Sequence, residues 1–218
     1  MPTQTKENYL KAIFSIAQNG EDVSITELSE KLQVSKPTAN SMVKKMEEKG
    51  WVVYEKYKPL KLTKKGTKEA ALIVRRHRLA EMFLVNIMDL GWEEVHDIAE
   101  EMEHVQSEKL FDRMDEILGF PTIDPHGSPI PDKTGKITNP NYINLTSISI
   151  GEKVKLCGLT DSSKSLLLFL NKKNIKLGTE FKLRQIENFD KSFEIILENK
   201  STIVLTFAVC KCLLVERV

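Results

Sequence analysis

Apolar residues recur at three-and-four spacing over residues 4–18, through Tyr9, Leu10, Ile13, Phe14 and Ala17. That period places them on one face of a helix, and Asn19-Gly20 ends it. A second, short helix carries Ile25, Leu28 and Leu32, with Ser24 or Thr26 as its cap. A third begins after Gln33-Val34. Ser35 is a good cap there, and Pro37 falls in the first turn, where a missing N–H is no loss. Ala39, Met42, Val43 and Met46 form its buried stripe, and Gly50 closes it. Residues 51–54 and 60–62 read as two short strands joined by a lysine-rich turn. Thr63 starts a long helix whose stripe is Ala70, Ile73, Val74, Leu79, Phe83 and Ile87, ending near Gly91. One or two further helices occupy 93–118. Beyond about residue 148 the period changes to two, in 153–156, 180–184, 193–196 and 202–207, with a short helix over 163–173 between them.

Five of the eight prolines fall at 121, 125, 129, 131 and 140, which marks a linker or an extended arm. The order of elements therefore predicts a mainly α chain with a C-terminal β domain. A winged helix-turn-helix spans 1–63, a helical domain 64–131, a linker 132–147 and a small barrel-like sheet 148–218.

Composition narrows the class. The chain has 218 residues, 41% of them hydrophobic and 29% charged, as in an ordinary soluble protein. No stretch approaches the ~20 apolar residues of a membrane span. The first residues lack the basic-then-apolar pattern of a secretory signal, so a cytoplasmic location and no membrane partner are expected. Cys157, Cys210 and Cys212 are odd in number and late in the chain, which argues against a disulfide framework. Cys210-x-Cys212 reads as a pair of small hydrophobes on a strand, with a thiolate pair as the alternative.

Charge is distributed unevenly. From Lys31 to Lys68 there are eleven basic residues against three acids; from Glu81 to Glu116 there are twelve acids against two basic residues. A positive block suits phosphates and a negative block suits cations. In a winged helix-turn-helix the third helix can enter the major groove. It would present Ser35, Lys36, Pro37, Thr38, Asn40 and Ser41 near its start. Lys44 and Lys45 would meet phosphates, and Lys56, Lys58 and Lys61 would add wing contacts. The partner expected is double-stranded DNA.

The acidic block also holds histidines. His77 and Glu81 are four apart, and His96, Glu100, Glu103 and His104 follow at intervals of four, three and one, which would share one helical face. Carboxylates packed this closely repel unless a cation lies among them. Nitrogen and oxygen ligands without thiolates suit manganese, iron(II) or, less selectively, zinc.

The segments RRHRLAE (75–81), VHDIAEEMEHV (95–105) and DPHGSPIP (124–131), behind a winged helix, resemble the diphtheria toxin repressor family and its manganese transport regulator branch. The resemblance covers about residues 4–131, and the tail more loosely resembles the family's SH3-like, FeoA-type domain. It implies a metal-dependent repressor of metal-uptake genes, a homodimer and a palindromic operator. It also implies Mn2+ or Fe2+ held by His77, Glu100, Glu103, His104 and a first-helix residue, here Asn8. An ancillary set draws on His77, Glu81 or His96, depending on the branch. Lys11 stands where two-metal manganese regulators carry a Glu. Glu100, where iron-type members carry Cys, leans towards manganese. Where iron-type members draw a carboxylate and an amide from the β domain, this chain has Ser163 and Leu166, with Asp161 as a nearby substitute. Two other classes remain as alternatives. One is a metal-dependent hydrolase, against which stands the lack of HExxH, nucleophile elbow and phosphate loop. The other is a winged-helix regulator of a small organic ligand.

Overall fold

A computed structural model of the chain describes residues 3–18, 22–55 and 58–218. It divides into two compact units. The first comprises 1–80, 99–120 and 130–138; the second comprises 81–98, 121–129 and 139–218.

In the first unit, helices α1 (Thr3–Gln18), α2 (Ile25–Lys31) and α3 (Lys36–Glu48) precede a two-stranded antiparallel sheet of β1 (Val52–Val53) and β2 (Lys61–Leu62). Ser24, rather than Thr26, caps α2. Its hydroxyl accepts from Glu27 N while the Glu27 carboxylate accepts from Ser24 N, a reciprocal capping box. Ser35 caps α3, and Pro37 sits in its first turn. Ala39, Met42, Val43 and Met46 are buried as the spacing requires. On α1 the buried face runs through Tyr9, Leu10, Ile13, Phe14 and Ile16, while Ala17 is exposed. The apolar stripe therefore drifts one residue from the expected line. Asn19-Gly20, proposed as the stop of α1, lies outside the described residues.

Helix α4 (Lys64–Asn86) begins under tight constraint. Thr63 Oγ1 accepts from Gly66 N and donates to Gly50 O. A Cβ at Gly66 would lie 1.9 Å from Trp51 O, so only glycine lets α4 start against the wing. Ile87, expected on the α4 stripe, falls after the helix and is exposed. Two helices occupy the next stretch, α5 (Val95–Met102) and α6 (Glu108–Ile117). Helix α5 is shorter than the histidine spacing implied. Glu103 and His104 fall after its last residue, and the proposed four-residue helical face is broken there.

The second unit centres on a six-stranded antiparallel sheet in the order β3-β8-β4-β5-β6-β7. Its strands are β3 (Ile143–Asn144), β4 (Lys153–Leu159), β5 (Glu180–Ile186), β6 (Phe193–Leu197), β7 (Thr202–Leu205) and β8 (Leu213–Arg217). Helix α7 (Lys164–Lys172) inserts Leu166, Leu167 and Leu170 into the sheet core beside Phe181, Leu183 and Ile195. The proline-rich segment is more than an arm. Residues 121–129 dock on β4, where Leu159 N donates to His126 O at 3.0 Å. Gly127 has φ +88°, and a Cβ there would lie 2.2 Å from Gly158 Cα. That approach needs glycine on both counts.

The cysteine pair lies on α8 (Phe207–Cys212), not on a strand. Thr206 caps this helix and ends β7 earlier than the alternation suggested. Cys210 is fully buried and Cys212 donates to Ala208 O, so the two thiols act as small packed groups. Burial pushes the Cys210 thiol up to about 12. At pH 8 only about one such thiol in ten thousand is ionised. Iodoacetamide should therefore leave native Cys210 unmodified and alkylate it after denaturation. Mass spectrometry of tryptic peptides checks this, and equal native and denatured rates would contradict the burial.

Candidate metal centre

The first cluster belongs to the first unit and is organised around Glu103, whose side chain is wholly buried. Its carboxylate divides its two oxygens between two environments. Oε2 lies 2.7 Å from His77 Nδ1 on α4 and accepts from Lys11 Nζ on α1 at 2.6 Å. Lys11 Nζ also donates to Glu100 Oε2 at 2.6 Å and stands 3.1 Å from His77 Nδ1. The ligand atoms of His77, Glu100 and Glu103 lie within 4.8 Å of one another, and the lysine ammonium is in hydrogen-bond contact with all three.

Glu103 Oε1 is different. It is buried without a hydrogen-bond partner, and so are His104 Nε2 and Asn8 Oδ1. His104 Nε2 lies 3.8 Å from Glu103 Oε1. An unmet buried polar atom costs about 1–3 kcal/mol. Glu103 Oε1 and His104 Nε2 face each other and call for a common electron-pair acceptor, and Asn8, next to Glu7 on α1, carries a third unmet atom. The donor set is one amide oxygen, one carboxylate oxygen and one imidazole nitrogen, which suits a manganese or iron(II) ion. The residues present therefore fit a divalent cation.

Their orientation is set by neighbours that the sequence pattern did not single out. Glu7 Oε2 is 2.5 Å from His104 Nδ1. A carboxylate there keeps the ring proton on Nδ1 and leaves the Nε2 lone pair for a ligand. Gln106 Nε2 donates to Glu7 Oε1 at 2.9 Å, and Arg76 NH2 lies 3.5 Å from the same oxygen. Arg76 Nε donates to the main-chain oxygen of Glu103 at 2.6 Å, fixing the segment just after α5. Glu7 stands next to Asn8 on α1, and its signal in the sequence was only that adjacency.

The second cluster belongs to the second unit. Glu81 Oε1 lies 3.4 Å from His96 Nδ1, and Glu81 Oε2 lies 3.7 Å from His126 Nδ1. The ligand atoms of Glu81, Asp124 and His126 fall within 4.8 Å of one another, and all three residues are buried. Asp124 and His126 were not among the expected ligands, although DPHGSPIP contained both. Their setting is specific. Asp124 Oδ1 accepts from His126 N and Ser128 N. His126 Nε2 donates to Trp92 O at 2.8 Å, which turns Nδ1 towards Glu81. The Trp92 ring stacks on the imidazole at 6.0 Å, and Trp92 Nε1 donates to Asn171 Oδ1. Burial opposes the charged imidazole, yet the Glu81 and Asp124 carboxylates outweigh it and raise the His126 pKa. His96 itself is largely exposed. In the β domain, Asp161 caps Ser163 locally and Leu166 is core.

Along α3 and its cap, Ser35, Lys36, Pro37, Thr38, Ser41, Lys44 and Lys45 are exposed. Asn40 is half-buried, and its Oδ1 accepts from Tyr54 OH at 2.7 Å, a contact the sequence did not announce. Lys58 pairs with Glu55 at 2.5 Å. Lys56 lies outside the described residues.

A DNA-binding fold carrying carboxylate–imidazole clusters has the make-up of a metal-responsive regulator. Comparison with known proteins gives the family. Residues 1–60 match the iron dependent repressor N-terminal DNA binding domain, and residues 63–132 match the iron dependent repressor metal binding and dimerisation domain. The iron-dependent repressor IdeR of Mycobacterium tuberculosis is 36% identical over 157 residues, 69% of this chain and 68% of the relative. The diphtheria toxin repressor of Corynebacterium diphtheriae is 35% identical over 127 residues, 58% of this chain and 56% of the relative. Among solved structures, a manganese-dependent transcriptional repressor in complex with manganese superimposes with TM-score 0.89 at 32% identity, over 97% of this chain and 99% of that one. The manganese regulator SloR gives TM-score 0.76 at 30% identity, over 98% of each chain. The chain belongs to the family of iron- and manganese-dependent transcriptional repressors that includes the diphtheria toxin repressor. Its fold is that family's, with a DNA-binding domain, a helical metal-binding and dimerisation domain and a C-terminal sheet domain.

The Glu7–His104 contact generates an expectation. Glu7→Gln should weaken manganese binding by about 10–100-fold, because the ring loses the charge that orients it and raises its basicity. Equilibrium dialysis with circular dichroism as a fold control measures this. Unchanged affinity in a folded variant would remove Glu7 from the site.

Proposed function

We propose that the chain represses metal-uptake genes by binding a palindromic operator as a homodimer when manganese or iron(II) is held at Asn8, Glu103 and His104. Glu81, His96, Asp124 and His126 form a second candidate position. His77 and Glu100 complete the first cluster on its Lys11 side. The observation that carries the reading is the set of three buried, unpartnered donor atoms on Asn8, Glu103 and His104. The bound ion would supply positive charge and a shared coordination partner for those atoms.

The rest follows from the chain's own residues. Helix α1 presents Asn8 and Lys11 to the cluster while its Leu10, Ile13 and Phe14 lie in the core of the helix-turn-helix. The same rigid element thus feels the cluster and positions α2 and α3. Arg76 on α4 holds the Glu103 main chain, while Glu7 ties His104 to the same helix that carries Asn8, so a shift of α1 is felt at the whole donor set. An arrangement favoured in the metal-loaded state then selects the DNA-competent state by differential affinity.

The proposed division is 1–63 for DNA, 64–131 for metal and dimerisation, 132–147 as a connecting segment whose end supplies β3 to the sheet, and 148–218 as the SH3-like domain. Ser35, Lys36, Pro37, Thr38, Asn40, Ser41, Lys44 and Lys45, with Lys56 and Lys58 of the wing, would meet the DNA. The reading is non-enzymatic, since every candidate ligand is used in binding or positioning and no spare base is identified. No described helix is long and apolar enough to cross a membrane, and a cytoplasmic location is part of the proposal.

A mobility shift on the DNA upstream of its own gene tests this. Manganese or iron(II) should strengthen binding and a chelator should abolish it. Affinity should fall steeply with salt, by a log–log slope of about −0.9 per phosphate neutralised. Glu103→Ala and His104→Ala should remove the metal stimulation while the fold persists. Operator binding that ignores the chelator would favour an organic ligand, and metal-dependent hydrolysis without DNA binding would favour the enzyme.

A further inference from the structure

One tyrosine joins the wing to the helix beside it. Strand β1 leaves α3 through a short turn whose main chain is bonded throughout. Gly50 N donates to Glu47 O at 2.8 Å, Trp51 N to Met46 O at 3.0 Å and Thr63 N to Trp51 O at 2.9 Å. Tyr54 follows β1 directly. Its main-chain N–H donates to Glu47 Oε1 at 3.2 Å, and its hydroxyl donates to Asn40 Oδ1 at 2.7 Å. Asn40 and Glu47 are two helical turns apart on nearly the same face of α3, about 10 Å along the axis. Tyr54 therefore lies lengthwise against the helix, with its amide at the C-terminal half and its hydroxyl at the N-terminal half. Its side chain packs on the buried core of the first unit. It is bonded at both ends and packed between them.

The end that reaches Asn40 matters most. Ser35, Lys36, Thr38, Ser41 and Lys44 are exposed, whereas Asn40 is half-buried and held from the side. A side chain that turns freely must be immobilised when it binds, and one already held is pre-organised. Tyr54 carries no charge, so its hydroxyl adds nothing to the attraction for phosphates.

We propose that Tyr54 is a positioning residue for sequence discrimination, fixing the Asn40 carboxamide before DNA is met. The inference rests on the reading of α3 as the helix that meets base edges. The tyrosine acts through Asn40, and the base pair that Asn40 meets is discriminated by the two residues together.

Tyr54→Phe removes the hydroxyl while keeping the ring and the main-chain bond to Glu47. The full-length wild type, Tyr54→Phe, Asn40→Ala and the double variant are titrated in excess manganese by fluorescence anisotropy. The probes are the DNA upstream of the protein's own gene, a scrambled fragment of equal length, and a series with each base pair of the footprint changed singly. Tyr54→Phe should bind the upstream DNA about tenfold more weakly. It should keep the wild-type affinity for scrambled DNA and the wild-type salt slope, because no phosphate contact is lost. The loss should fall on one base pair of each half-site, and Asn40→Ala should relax the same one. In the double variant, Tyr54→Phe should cost nothing beyond Asn40→Ala.

A hydroxyl that only supports the fold would weaken binding to upstream and scrambled DNA alike, which would overturn the proposal. So would a tenfold cost that persists in the absence of Asn40, or a different base pair relaxed by each variant. Full discrimination retained in Tyr54→Phe would also overturn it, while leaving the metal-dependent repressor reading intact. If the wild type itself shows no manganese-stimulated preference for the upstream DNA, the functional reading falls, and this one with it.

Discussion

A carboxylate that solvent cannot reach has to be neutralised from within the protein or by something it binds. Glu103 is such a carboxylate, and much of the first unit is arranged around it. Helix α1 sends it a lysine, α4 sends it a histidine, and an arginine on α4 holds its main chain. The end of α5 matters for the same reason. Had the helix continued through His104, Glu103 and His104 would point away from each other by the 100° of one helical step. Leaving the helix at Met102 lets both approach the same space.

The two clusters solve the orientation problem with different partners. His104 is held by a carboxylate, which strengthens it as an electron-pair donor. His126 is held by the carbonyl of Trp92 and by that residue's ring, on a segment pinned to β4 through Gly127. The first arrangement couples the imidazole to charged side chains from α1 and α4. The second couples it to backbone, and so to the sheet domain's own rigidity.

Most of the architecture was legible in the sequence because its signals are local. A cap for α2 at Ser24 or Thr26, of which the structure takes Ser24, the Ser35-Lys36-Pro37 start and the alternation of the strands depend on neighbours a few residues away. The described candidate ligands also came together, with His77, Glu100, Glu103 and His104 in one cluster and Glu81 and His96 in another. What the sequence hid was long-range or irregular. Glu7, Tyr54, Asp124 and His126 act through partners that no spacing rule reaches. Cys210 and Cys212 read as strand residues because a six-residue helix capped by Thr206 carries too few turns for its period to show.

The tie between Tyr54 and Asn40 has a consequence of its own. A carboxamide ordinarily offers both an acceptor and two donors. On α3 the tyrosine hydroxyl takes up one lone pair of Asn40 Oδ1, which biases what the side chain has to offer towards its NH2 donors. If Asn40 meets DNA as proposed, it would then favour an oxygen or ring nitrogen over an amino group. The wing thereby edits the vocabulary of the helix beside it without having to touch what that helix meets.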